Sequence, residues 1–172
     1  MIRSLVASAL IVTGLSLPIQ SASVPRPLAD VTVPTATGQK IKLSQYRGKV
    51  MVIALISTTC VHCLTSLQTL SQIQKDYGAQ GFQAFAVAAD DSAERGVKGL
   101  TRMNTGFPMG YLDQETTMRL CDFKKEDHPF VPMYLFVDKK GTVRFQYAGK
   151  DDFFNKEEKN TRILVESLLK GQ

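Results

Sequence analysis

Tryptophan is absent from this 172-residue chain, histidine occurs twice and cysteine three times. Three cysteines are too few for the disulfide-dense scaffold by which small secreted domains compensate for a thin core. A four-ligand zinc centre would have to draw on Cys60, Cys63, Cys121, His62 and His128, which are all the cysteines and histidines present. Charge of one sign does not gather. The 21 Lys and Arg are interspersed with 16 Asp and Glu for a net +5, so the basic stripe of a nucleic-acid surface is missing. There is no low-complexity tract and no internal repeat. The length and the remaining composition are those of one globular domain with a sizeable core, expected to be a monomer.

The one long apolar run lies at the N-terminus. Arg3 supplies a positive start, and Leu5 to Leu17 is apolar with only small polar interruptions. Pro18 ends the run, and Ser21, Ala22 and Ser23 offer a cleavage point. This pattern predicts a signal peptide over 1–23 and a mature domain over 24–172, periplasmic or otherwise exported. The run is short for a membrane span, and no cysteine adjoins the cleavage point to carry a lipid. An uncleaved anchor is the other reading. An oxidising compartment lets disulfides persist, and an odd number of cysteines leaves at least one thiol over.

Val24 to Asp30, with Pro25 and Pro27, reads as an extended arm. Val31-Thr32-Val33 and Lys40 to Leu43 alternate apolar and polar around Thr37-Gly38, a hairpin pattern. Ser44 to Lys49 reads as a turn of helix with a glycine stop. Val50 to Ile56 is continuously apolar and partly β-branched, as in a strand buried on both faces. Leu64, Leu67, Leu70, Ile73 and Tyr77 recur at helical spacing, closed by Gly78 and Gly81. Phe82 to Ala89 is a strand. Asp91 with Glu94 predicts a cap for a helix weakened by Gly96 and Gly99. Pro108 to Leu112 is a short strand, and Glu115 to Phe123 a helix with Met118 and Leu120 turned inward. After a stiff loop from Asp127 to Pro132, Met133–Val137 and Thr142–Tyr147 form a hairpin about Asp138-Lys139-Lys140-Gly141. Asp151 or Asp152 caps a last helix that buries Ile163, Leu164, Val165, Leu168 and Leu169. Strands alternating with helices, then a hairpin and a final helix, predict an α/β fold with a mixed sheet covered on both faces.

The chemistry centres on Cys60-Val61-His62-Cys63, where the buried strand gives way to a helix. Two cysteines so spaced can close a small disulfide ring and open it again. The first lies at or near the helix N-terminus, where unpaired N–H groups and the dipole favour a thiolate, the reactive form. Reversible redox exchange, a static disulfide and half of a metal site are the readings open to the pair. The ring of His62 can donate to the Cys60 thiolate or place a positive charge beside it. Either effect stabilises the reduced form. His128 could join the two thiols as a copper(I) ligand. Cys121, among Leu120 and Phe123 on a helical face, is expected to pack as a small hydrophobe.

This order of elements resembles the thioredoxin fold and, more narrowly, the exported TlpA/ResA group of thiol–disulfide oxidoreductases. The matching pieces are Leu43 to Lys49, the cysteine pair, Val131-Pro132 before Met133, and Asp138 to Gly141. The resemblance implies an N-terminal hairpin and a strand–helix insert. It also implies an attacking Cys60, a resolving Cys63, and a cis Val131–Pro132 bond whose neighbouring backbone, through Val131, pairs with substrate. It implies an exported oxidoreductase acting on protein cysteines without a cofactor, recycled by a membrane or soluble redox partner. The family's tryptophan before the first cysteine is Thr59 here. The acid that many thioredoxins carry in the preceding strand falls near Ala54, which cannot shuttle a proton. Thr58-Thr59-Cys60 is also faintly similar to peroxiredoxins, making a thiol peroxidase the third expected activity after exchange and copper(I) delivery.

Overall fold

The structure, a computed structural model, describes residues 23–124, 127 and 130–171. The signal-peptide expectation and His128 lie outside the described residues. Among the described residues eight strands and four α-helices follow in order: β1 (Arg26–Pro27), β2 (Thr32–Pro34), β3 (Lys40–Lys42), β4 (Val50–Ile56), α1 (Val61–Tyr77), β5 (Phe82–Ala88), α2 (Ala93–Leu100), β6 (Met109–Tyr111), α3 (Gln114–Cys121), β7 (Met133–Val137), β8 (Thr142–Tyr147) and α4 (Glu157–Leu169). Six strands form one mixed sheet in the order β1-β8-β7-β4-β5-β6, and β2–β3 is a separate hairpin. β4, β5 and β6 run parallel, and β7, β8 and β1 add antiparallel neighbours.

The period of two along the central strands builds two cores. Val50, Val52, Ala54 and Ile56 of β4 share one face with Tyr134 and Phe136 of β7, under α1, α2 and α4. Met51, Ile53 and Leu55 share the other with Leu135 and Val137, under α3 and the hairpin. All seven residues of β4 are buried, which is why the strand reads as one apolar run rather than an alternation. The strand–helix pair β6–α3, the insert that the resemblance implies, follows α2 and precedes β7 in the chain, and β6 forms the sheet edge beside β5. The hairpin docks beside β6 through a bridge between Thr35 and Gly110. A side chain at Gly110 would begin 2.5 Å from the Pro34 carbonyl, so this approach requires glycine.

Several local expectations change. The N-terminal arm is not only extended: Arg26–Pro27 adds β1 to the sheet edge along Thr142 and Val143. Asp91 does not cap α2. Ser92 holds the cap position, and it is Asp90 whose carboxylate accepts from the Ser92 N–H and hydroxyl. Met118 is half-buried, and Thr117 and Cys121 join Leu120 on the inner face of α3. A 3-10 turn at Asp152–Lys156 precedes α4, and Asp151, at its start, turns its carboxylate back to the Ala148 N–H instead of capping. On α4 itself Ile163 is 53% exposed, and Thr161 is buried with Val165 and Leu168.

Candidate active site

β4 ends at Ile56, and the chain turns through Ser57-Thr58-Thr59 into α1. Asp90 ties down this turn from the end of β5. Its carboxylate accepts from the Thr58 N–H at 2.6 Å and from the Thr58 hydroxyl at 3.3 Å. Burial pushes the Asp90 carboxyl up, but the bonds from Thr58 and Ser92 outweigh it and hold the group below the ordinary carboxylate range. The Thr58 side chain in turn fills the space where Gly96 of α2 lacks one. A Cβ at Gly96 would lie 2.3 Å from Thr58 Oγ1.

Cys60 is the N-cap of α1. Its backbone is extended, with φ −85° and ψ 117°, and its sulfur accepts from the Cys63 N–H at 3.4 Å. One orphan donor of the helix start is thereby directed at the Cys60 sulfur. Cys60 is half-buried, whereas Cys63, one turn in, has no exposed surface. Both are free thiols, as is Cys121. Burial pushes the Cys63 thiol from 9.0 up to about 12. The Ser57 backbone pulls it partly back, and Cys60 and Glu157 add to the rise. Val61 and His62 are exposed on the first turn of the helix.

Val131 precedes β7 and joins Pro132 through a cis bond, as expected. The loop is braced by Gly149, whose N–H donates to the Phe130 carbonyl at 3.0 Å. A Cβ at Gly149 would lie 2.9 Å from the Val131 carbonyl oxygen. Val131 shares the core cluster on which Cys60 packs. A cleft of about 590 Å³ runs past Ser57, Asp90, Met118, Val131 and Met133. Three residues of this region were not singled out in the sequence: Asp90, Tyr134 and Glu157. The Asp90-Asp91-Ser92 run carried a capping signal one residue out of place. Tyr134 and Glu157 carry no sequence signal, because the turn at Asp152–Lys156 brings them together. Among the described residues no three His, Cys, Asp or Glu side chains gather as a metal site.

A six-stranded mixed sheet clad on both faces, with two thiols at the strand–helix junction, defines a redox protein of the thioredoxin class. The AhpC/TSA family model matches residues 24–146, and the chain belongs to that family. Among solved structures it is similar to a putative thiol:disulfide interchange protein DsbE from Chlorobium tepidum. The two are 25% identical with a TM-score of 0.68, over 84% of this chain and 99% of that one. A thioredoxin family thiol:disulfide interchange protein of the same organism shares the fold at 16% identity and a TM-score of 0.71, over 87% of this chain and 99% of that one. Among curated proteins, a probable phospholipid hydroperoxide glutathione peroxidase of Nicotiana sylvestris is 34% identical over 77% of this chain and 72% of its own length.

Proposed function

We propose that the protein is an exported thiol–disulfide oxidoreductase that exchanges a Cys60–Cys63 disulfide or dithiol with protein cysteines. The observation that carries this is the asymmetry of the pair: an accessible N-cap sulfur that receives a helix N–H, and a fully buried partner one turn away. The Cys60 thiolate attacks a substrate disulfide, the S–S bond breaks, and the departing thiol takes a proton. A mixed disulfide remains. Cys63 then attacks Cys60 Sγ, closes the ring and releases the second substrate thiol. The reverse sequence oxidises a substrate dithiol. Val131, beside the cleft, presents backbone groups to an extended substrate segment, with Pro132 shaping the loop. His62 raises the potential of the pair by favouring the reduced form. Export, the cysteine-containing partners and the recycling redox protein belong to this proposal.

A second reading is favoured by the relatives named as peroxidases. A hydroperoxide would oxidise the Cys60 thiolate to a sulfenic acid and leave as an alcohol, and Cys63 would condense with it, releasing water. The test mixes the reduced protein with a disulfide-bridged peptide and, separately, with a lipid hydroperoxide. Rapid peptide reduction that vanishes in Cys60→Ser supports exchange. Slow peptide reduction beside rapid sulfenic acid formation transfers the function to peroxide reduction.

A further inference from the structure

Closing the ring requires a thiolate at Cys63, yet burial holds that proton on up to about 12. Ala54, the position of the acid in many thioredoxins, carries nothing ionisable. Its register partner on β7 is Tyr134, a fully buried residue on the same face of the sheet. The Tyr134 hydroxyl donates to Glu157 Oε1, on the first turn of α4. It also lies 3.3 Å from the Ser66 carbonyl oxygen on α1, one turn beyond Cys63. The ring is fixed edge-on against Phe136, Phe153 and Phe154, and the last two belong to the turn that leads into Glu157.

Among the described residues, two buried side-chain oxygens have no hydrogen-bond partner: Ser66 Oγ and Thr161 Oγ1. Ser66 is three residues past Cys63, and Thr161 four past Glu157, so each shares a helix face with its neighbour. Buried hydroxyls are nearly always bonded. Two that are not, on the two helices joined by the Tyr134 hydroxyl, mark a polar seam inside an otherwise apolar layer. The titratable groups acting on Cys63 are Cys60 on its own helix and Glu157 on α4. Those acting on Tyr134 are Glu157 and Cys63.

We propose that Glu157 is the proton acceptor for Cys63, oriented by Tyr134 and reached along the seam between α1 and α4. The inference rests on the exchange reading above. The Cys63 thiol gives its proton to the Glu157 carboxylate, and the thiolate so formed attacks Cys60 Sγ. The Cys60–substrate S–S bond breaks, and the leaving thiolate takes up a proton from the Glu157 carboxylic acid or from water. Tyr134 is a positioning residue. It keeps its own proton, because burial and the neighbouring anions raise its phenol well above the usual range.

Ellman's reagent separates the steps. Cys60 attack releases one coloured thiolate, and ring closure by Cys63 releases the second. Glu157→Gln is expected to leave the first release unchanged and to slow the second by about tenfold or more at neutral pH. Its second-step rate should climb with hydroxide concentration across the range where the parent is flatter. Tyr134→Phe, which keeps the ring and removes the hydroxyl, should slow the same step by a smaller factor. A first release at the parent's rate, with buried Cys121 still unreactive toward the reagent, shows that either variant has kept its fold. Second-step rates and pH profiles equal to the parent's in both variants overturn the role of Glu157 and leave exchange standing. A parent with no first release at all overturns both.

Discussion

Ala54 and Tyr134 face each other across the β4–β7 ladder. The place where the sequence lacks an expected acid is thus next to a phenol that holds a carboxylate from a distant helix.

The two thiols of the motif should differ sharply toward alkylating agents. Cys63 and Cys121 are both buried and both pushed up to about 12, mainly by burial. Iodoacetamide at neutral pH is expected to modify Cys60 alone in the folded, reduced protein, with all three labelled after denaturation. Peptide mapping by mass spectrometry reads the result. Labelling of Cys63 before Cys60 would reverse the assigned roles.

Alkaline pH should destabilise the reduced protein. A folded thiol pKa raised above its unfolded value contributes stability that is complete below the unfolded pKa and is lost as pH rises through the folded one. For Cys63 and Cys121 that window runs from 9.0 to about 12. Urea melts of the reduced protein between neutral pH and about pH 10.5 should show a falling midpoint. Cys121→Ala should fall less steeply, since one of the two groups is gone.

Two glycines of the same helix should respond in opposite directions. Helix propensity favours alanine over glycine by about 1 kcal/mol. Gly99 is exposed with open space around it, so Gly99→Ala should stabilise by about 0.5–1 kcal/mol. At Gly96 the new Cβ meets Thr58 Oγ1 at 2.3 Å and Thr58 Cβ at 2.5 Å, and Thr58 is held by Asp90. Overpacking wins there, and Gly96→Ala should destabilise by about 1–3 kcal/mol. Thermal melts of the two variants decide it.

Asp90→Asn should loosen the turn that presents Cys60. The Asp90 carboxyl is held below the ordinary range, the bonds from Thr58 and Ser92 outweighing burial. Its contribution is therefore present above the unfolded carboxylate pKa and lost as pH falls through the lowered folded one. The parent should lose stability in acid below about pH 4, and the variant should be less stable at neutral pH by about 1 kcal/mol and less acid-sensitive. Hydrogen exchange at Thr58 N–H should rise in the variant, and an unchanged rate would remove Asp90 as the anchor.

The sheet was legible in the sequence because β4 and β7 are buried along their whole length and read as continuous apolar runs. The cysteine pair was legible through its spacing and its place between strand and helix. What stayed hidden depends on long-range packing. β1 is two residues long and has no pattern of its own. Gly96 reads as a helix weakness until Thr58 occupies its space. Thr161 reads as polar, yet the approach of α4 to α1 buries it and turns Ile163 outward. Glu157 reads as one of several acids at the start of a helix, and only the aromatic cluster around Phe153 and Phe154 brings it to Tyr134.

Equilibration of the protein across a series of glutathione redox buffers, with the disulfide located by mass spectrometry, bears most directly on the central claim. The expected result is one reversible two-electron transition in which Cys60 and Cys63 are joined, absent in Cys60→Ser and moved to lower potential in His62→Pro. No transition in the parent, or a disulfide that joins Cys121 instead, would contradict the account.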